Sequence, residues 1–354
     1  MATGAESTYP SDASGALKPK QAACAKAGWL ALSDKGILDN SRLSDILHRG
    51  QFVIEMTMPL LEWVVLLEHH SNVGWPRTFT LMFDPQIGFV IAHRQGERLV
   101  RHLLPGPLPS GVGPGRLTFD FDAPARRWSL RFEYLLGEEP QQISSRGLDP
   151  LPLLIGDIAA LCTTPRASSP TLWFGASFGK TLPTSAPWIG LRTEVETSLG
   201  PIAAGNLRPG DVIMTLDQGP QPLLACQPLS LPARGSFAPV LLRAPYFGQR
   251  QDILVSADQL IAIGGLETEY LFDQDSVLAP AATLVDGRMA LSDDRRAVTG
   301  AVALKLPTPA LIMTDGCVLA LGHDPARDLP LRALKSYEVL TLMSLLGRSA
   351  RYAA

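Results

Sequence analysis

Between Gln51 and Leu135 apolar and polar positions alternate in short runs, the period-two signature of half-buried β-strands. Phe52, Ile54 and Met56 alternate with Val53, Glu55 and Thr57, and after a Pro break a second run extends from Trp63 to Glu68. Further runs go from Arg77 to Phe83, Gly88 to His93, Arg98 to Leu103, Arg116 to Asp122 and Arg127 to Tyr134. Each carries β-branched or aromatic residues and is bounded by Gly, Pro, Asp or Asn, which predicts a train of antiparallel strands. Asp122, Ala123 and Pro124 open a hairpin loop between two of them. Pro150 to Cys162 predicts a short apolar turn or helix, and Thr171 to Phe178 a closing strand. From Pro183 to Pro187 the texture changes to Thr, Ser, Ala and Pro, which reads as a linker.

A second strand series follows: Thr193 to Thr197, Val212 to Leu216, Val240 to Ala244, Ile253 to Ser256, Ala301 to Leu306 and Leu311 to Thr314. Turn chemistry separates them at Pro209-Gly210-Asp211, Gly219-Pro220, Asp286-Gly287 and Asp315-Gly316. From Leu331 to Leu346 apolar residues recur at spacings of three and four, which predicts a terminal helix.

Composition sharpens this picture. The 31 Gly and 30 Pro are spread along the chain and so favour an all-β architecture over one of long helices. At roughly 150 residues per domain, 354 residues predict two domains. An apolar fraction of 46% excludes wholesale disorder, and a net charge of −3 provides no field to gather nucleic acid or anionic lipid. The most apolar run, Met56 to Leu67, is broken by Pro59 and Glu62 and falls short of the ~20 residues a membrane span needs. Met1 to Lys20 carries no apolar signal region, so a disordered lead-in is expected, with the protein cytoplasmic or exported without an N-terminal signal peptide. Cys24, Cys162, Cys226 and Cys317 form no CxxC pair, which argues against zinc and for buried free thiols.

An ordered series in the second half carries a resemblance. Gly200, then Leu207-Arg208-Pro209-Gly210-Asp211-Val212, Thr215, and Asp217-Gln218-Gly219-Pro220 lead it. Phe237-Ala238-Pro239-Val240, Asp252-Ile253-Leu254-Val255-Ser256, Leu284-Val285-Asp286-Gly287 and Asp315-Gly316 continue it. Over roughly residues 185 to 345 this resembles the bacterial Hint (Hedgehog/intein) domains, which implies a compact all-β horseshoe. The first half is more loosely similar to concanavalin A-like and laminin G-like jelly rolls.

The Hint resemblance implies self-cleavage: a Cys, Ser or Thr at the first position attacks the preceding carbonyl, aided by histidines from later strands. Aligned on Thr193, Thr197 and Gly200, that first position is Trp188, whose indole is no acyl acceptor. The histidine of the family's Ser-Pro-x-His stretch is Gln259 here, which carries no proton near neutral pH, and two later histidines correspond to Ala303 and Pro309. Asp211 survives, with the local role of holding backbone N–H groups in a turn. The sequence therefore predicts a vestigial site at Trp188, Thr193, Asp211, Gln259, Ala303 and Pro309, with Ser185 or Thr193 as the substitute nucleophile of the alternative, an autoprocessing enzyme.

Other candidates lie in the first half. Asp120 and Asp122 share a strand face at spacing two, a pattern that suits Ca²⁺, the one cofactor entertained. Trp63, Trp75, Trp128 and Trp173 would stack on sugar rings if they line an open face. His69 and His70 point to opposite faces of a strand, so at most one joins any site, and Asp293-Asp294-Arg295-Arg296 reads as a solvated turn. The expected organisation is a lead-in (1–24), a jelly-roll sandwich (25–182), a degenerate Hint domain with a short terminal helix (183–346) and a tail (347–354). The expected function is non-catalytic interaction, with a glycan or protein surface bound by the first domain and the Hint fold as scaffold.

Overall fold

The computed structural model describes residues 28–38, 43–109, 111–135, 141–163, 170–179, 187–322 and 329–352. The expected lead-in, most of the linker, Cys24, Ser185 and His323 lie outside these. The class is all-β: strands dominate, and the ladders are antiparallel.

Two large sheets and a two-stranded ladder of Ile46–Leu47 with Leu153–Leu154 make the N-terminal half. A seven-stranded sheet runs, in spatial order, Gln142–Leu148, Arg127–Tyr134, Gly113–Asp122, Arg49–Met58, Thr171–Ser177, Trp29–Leu32 and Gly36–Ile37. Facing it is a four-stranded meander of Val64–Ser71, Arg77–Asp84, Gly88–Gln95 and Arg98–Pro105. Alternate residues meet between them: Phe52, Ile54 and Met56 from one sheet, Phe79, Leu81, Phe89 and Ile91 from the other. At roughly 1.5–3 kcal/mol for each large apolar side chain buried, this layer dominates the half's stability.

Helix α1 (Ile155–Thr163) closes one end, burying Ile155, Ile158, Leu161 and Cys162 along one stripe. Its first-turn Asp157 suits the positive helix end and is fastened from the meander. Arg77 donates from Nε to Oδ2 (2.8 Å) and from Nη2 to Oδ1 (3.1 Å), and His69 lies 3.2 Å from Oδ1. His70, on the opposite face, pairs instead with Glu68 at the surface.

The C-terminal half also has two sheets. One orders Ala225–Pro232, Val298–Lys305, Ile189–Gly190, Ile253–Val255, Val240–Leu242 and Ala290–Ser292. The other includes Glu194–Thr197, Ala310–Thr314, Cys317–Leu321, Leu260–Gly264 and Ser276–Pro280. Helices α2 (Leu266–Phe272) and α3 (Ser336–Tyr352) pack on them, and α3 buries Val339 and Leu342 in the shared core.

The terminal helix starts later and ends later than its periodicity predicts. Arg332 and Leu334 hydrogen-bond to Leu278, which holds that segment extended; Glu338 then accepts from the Lys335 N–H, a capping contact that starts the helix. Its run to Tyr352 takes in most of the expected tail. Cys162 and Cys317 are buried free thiols, each pushed up to about 12 by burial, whereas Cys226 is only half-buried and donates to Leu207 O. Asp293 is buried and bonded to Arg295, so that charge run is no simple solvated turn.

His93 and His102, from neighbouring strands, are buried inside the sandwich, and desolvation brings both down to about 4. His102 lies between Phe119 (5.0 Å) and Trp128 (4.7 Å) with both ring nitrogens unpartnered. The unfolded chain takes up these protons near pH 6.5 and the folded one only near 4, so stability is full above about 6.5 and falls as the pH drops through that window. The loss should reach about 3 kcal/mol per histidine, read as a falling urea midpoint between pH 7 and 4, and His102→Phe should flatten the slope.

Candidate functional site

The strand Arg49–Met58 is buried on both faces. One face feeds the sandwich core; the other, carrying Val53 and Glu55, meets the C-terminal half. There an apolar cluster joins Trp29, Leu32, Val53 and Trp173 of the first half to Trp188, Leu229, Leu231, Phe237, Ala301 and Ala303 of the second. Trp173 stands edge-on to both Trp29 (6.1 Å) and Phe237 (6.0 Å), and the Trp29 indole N–H donates to Ser230 O.

A polar knot sits within this contact. Glu55, 1% exposed, accepts from Trp173 Nε1 (2.8 Å), the Ser236 N–H (3.0 Å), the Ser236 hydroxyl and Arg116 Nε (3.2 Å). Arg116 also donates to Ser236 Oγ and Glu133 and lies over the Phe237 ring at 4.1 Å. A buried carboxylate is costly unless charge and hydrogen bonds surround it, and here donors from both halves do so. Gly235 makes this possible: its φ is +53°, and a Cβ there would overlap Glu55 Oε2 and Trp173 Nε1. At the surface Arg234 adds an ion pair to Asp34 (2.6 Å).

Beside the knot is a cleft of about 740 Å³, bordered by Glu55, Arg116, Leu172, Trp188, Ser236 and Ser256. Trp188, the residue that the Hint resemblance sets at the nucleophile's position, is 4% exposed there. Its backbone is held from both sides by Ser256: the Trp188 N–H donates to Ser256 Oγ (3.1 Å) and the Ser256 N–H to Trp188 O (2.9 Å).

The structure gathers only part of the expected vestigial set. Trp188 and Ala303 share the apolar cluster, next to Ser256. Gln259 is fully buried, but its amide donates to Ala320 O (2.7 Å) and Leu260 O (3.0 Å), away from the 188 peptide. Pro309 lies against Gly322 at the start of another strand. Thr193 is buried in a turn closed by its N–H to Gly190 O. Asp211 accepts from the Arg208 N–H at 2.7 Å. No imidazole from the described residues of this half stands near Trp188, since the sequence gives the half one histidine, His323.

Two first-half expectations do not fit the geometry. Trp63 and Trp75 are exposed but flank opposite ends of the strand Val64–Ser71, about 26 Å of extended chain, while Trp128 packs inward against His102 and Trp173 is buried; they form no common platform. Asp120 and Asp122 do share a face, yet Asp120 already accepts from Gln51 (2.7 Å) and Ser129 (3.3 Å), and Asp122 from Ala125 N (2.9 Å). Arg49 and Arg127 oppose Asp122 in register, and among the described residues no three His, Cys, Asp or Glu side chains converge on a common point.

Sequence reasoning missed Glu55, Arg116, Ser236 and Ser256. A signal existed for the first: Val53 shares its face with Glu55, and a valine on a supposedly solvated face suggests that something covers it.

Residues 191–319 match the model of the Hint domain family. No curated protein matches the chain. Among solved structures, the gp41-1 intein is 12% identical, with 39% of this chain and 100% of that one covered and a TM-score of 0.27. The MchDnaB-1 intein is 16% identical, with 38% and 99% covered and a TM-score of 0.26. No described helix is long and apolar enough to cross a membrane.

Replacing Glu55 with Ala should cost about 3–5 kcal/mol, because Arg116 and the Trp173 indole lose their shared acceptor in a buried site. Gly235→Ala should separate the halves by overlap alone. Either variant should show a second unfolding transition and new protease cuts between the halves in urea titration and limited proteolysis. Together, the ordered turn series and the family match over residues 191–319 make the C-terminal half of this chain a Hint domain.

Proposed function

We propose that this is a non-catalytic Hint-domain protein, in which the Hint fold is a rigid scaffold and the N-terminal sandwich, of concanavalin A-like or laminin G-like kind, is the binding module. The observation that carries this reading is the burial of Trp188 in the contact between the halves. An indole fills the place of an attacking atom, and the space beside it holds Ala303 in place of a proton carrier. Ser256 Oγ is the hydroxyl held against the 188 N–H; it accepts that hydrogen bond, and among the described residues of this half there is no histidine to take its proton. Loss of a nucleophile whose partners act as a unit costs on the order of 10⁶ in rate.

The purified chain should stay full length for days at pH 7–8, with or without added thiol, by intact-mass measurement. Ser185→Ala, Thr193→Ala and Ser256→Ala should leave that unchanged. Trp188→Cys alone should also remain uncut, and should lose about 3–5 kcal/mol of stability from the emptied apolar space. A spontaneous break mapped to the 187–188 bond of the unaltered chain would instead establish the autoprocessing alternative.

A further inference from the structure

Directly opposed residues in an antiparallel sheet share a face. On the face of the seven-stranded sheet that carries Val53 and Glu55, one row reads Leu148, Arg127, Asp122, Arg49 and the next Arg146, Ser129, Asp120, Gln51. The C-terminal half covers this face from Val53 onward. Short of it lies an open groove of about 760 Å³, bordered by Arg49, Asp120, Asp122, Arg127, Ser129 and Arg146.

The groove's donors and acceptors are unequally used. Arg49, Arg127 and Arg146 make no hydrogen bond or ion pair with any described residue, although two of them oppose Asp122 in register. Arg49 and Arg127 stand two strand spacings apart, about 10 Å. Asp120 and Asp122 hold single partners on their oxygens and keep further lone pairs open. A second observation is independent of these. Gln51 and Thr118, 3% and 0% exposed, leave Oε1 and Oγ1 with no partner on this same face, and the Nε of neighbouring Arg131 is likewise buried and unpaired. Buried polar atoms without partners are uncommon in folded proteins; Gln51 is in the row of Asp120, and Thr118 and Arg131 are in the next row, behind the residues that border the groove.

The chemistry selects among ligands. Free guanidiniums call for anionic oxygens presented in pairs, as a planar carboxylate or two oxygens of a tetrahedral sulfate present them. The carboxylates and the Ser129 hydroxyl call for hydroxyl donors. A nucleic acid would bring its dense phosphates against Asp120 and Asp122, a neutral sugar would leave the arginines unmatched, and an acidic peptide lacks the hydroxyls. We propose that this groove binds an acidic polysaccharide, a sugar chain bearing carboxylate or sulfate groups. The inference rests on the reading of the sandwich as a binding module and gives that module its site and ligand class.

The test is binding of the full chain to polygalacturonate and to heparin, with dextran, polyglutamate and single-stranded DNA alongside. Binding to polygalacturonate or heparin is expected, the stronger of the two naming the anion, and it should weaken as NaCl rises. Combined Arg49→Ala, Arg127→Ala and Arg146→Ala should weaken it roughly tenfold or more with an unchanged melting temperature. Binding to neither acidic polysaccharide, an unaffected triple variant, or equal binding to polyglutamate or DNA would overturn the proposal. Failure here leaves the intact-mass result for the Hint scaffold untouched, and a chain that cuts itself yet binds polygalacturonate separates the two readings the other way.

Discussion

The placement of one buried carboxylate constrains the whole molecule. Glu55 sits in the middle of a strand whose neighbours on either side are core, and its carboxyl oxygens need donors that its own sandwich supplies only in part. The rest come from Ser236, which the chain reaches some 180 residues later. Until the second half docks, Glu55 and Arg116 face water; once it docks, any misalignment strands a charge in a dry place. Apolar contact between Trp29, Trp173, Phe237 and Leu231 supplies attraction without direction, and the carboxylate supplies the direction.

The same contact takes in one edge of the Hint domain. Trp188 belongs at once to the rim of the cleft beside Glu55 and to the surface that receives the sandwich. A small side chain at position 188 would leave a gap in the cluster it shares with Trp173 and Phe237. A bulky aromatic side chain fills it. The indole at position 188 is thus part of what makes the surface continuous between the halves.

Much of this architecture was legible in the sequence, and the failures have physical causes. Strands with one wet face, such as Arg77–Asp84, announce themselves by alternation, and the Hint half by its turns. Gln142–Leu148 escaped because it is an outer strand of polar residues with no side fully buried. Ala225–Pro232 escaped because its prolines read as breaks, although it pairs with Val298–Lys305 over its whole length. Leu266–Phe272 is too short for helical periodicity to register. At the candidate site, Trp188 and Ala303 could be named from the sequence, but Glu55, Arg116 and Ser236 could not. Their meaning lies in a contact between segments distant in sequence, and no local pattern encodes it.

The prolines of Ala225–Pro232 have one more consequence. This strand is the outermost of its sheet, and an outermost strand offers its unused amide hydrogens to any passing extended peptide. Pro228 and Pro232 have none to offer, and their rings roughen the rim. The sheet is thereby finished on that side, a built-in guard against copies of the chain stacking into fibrils.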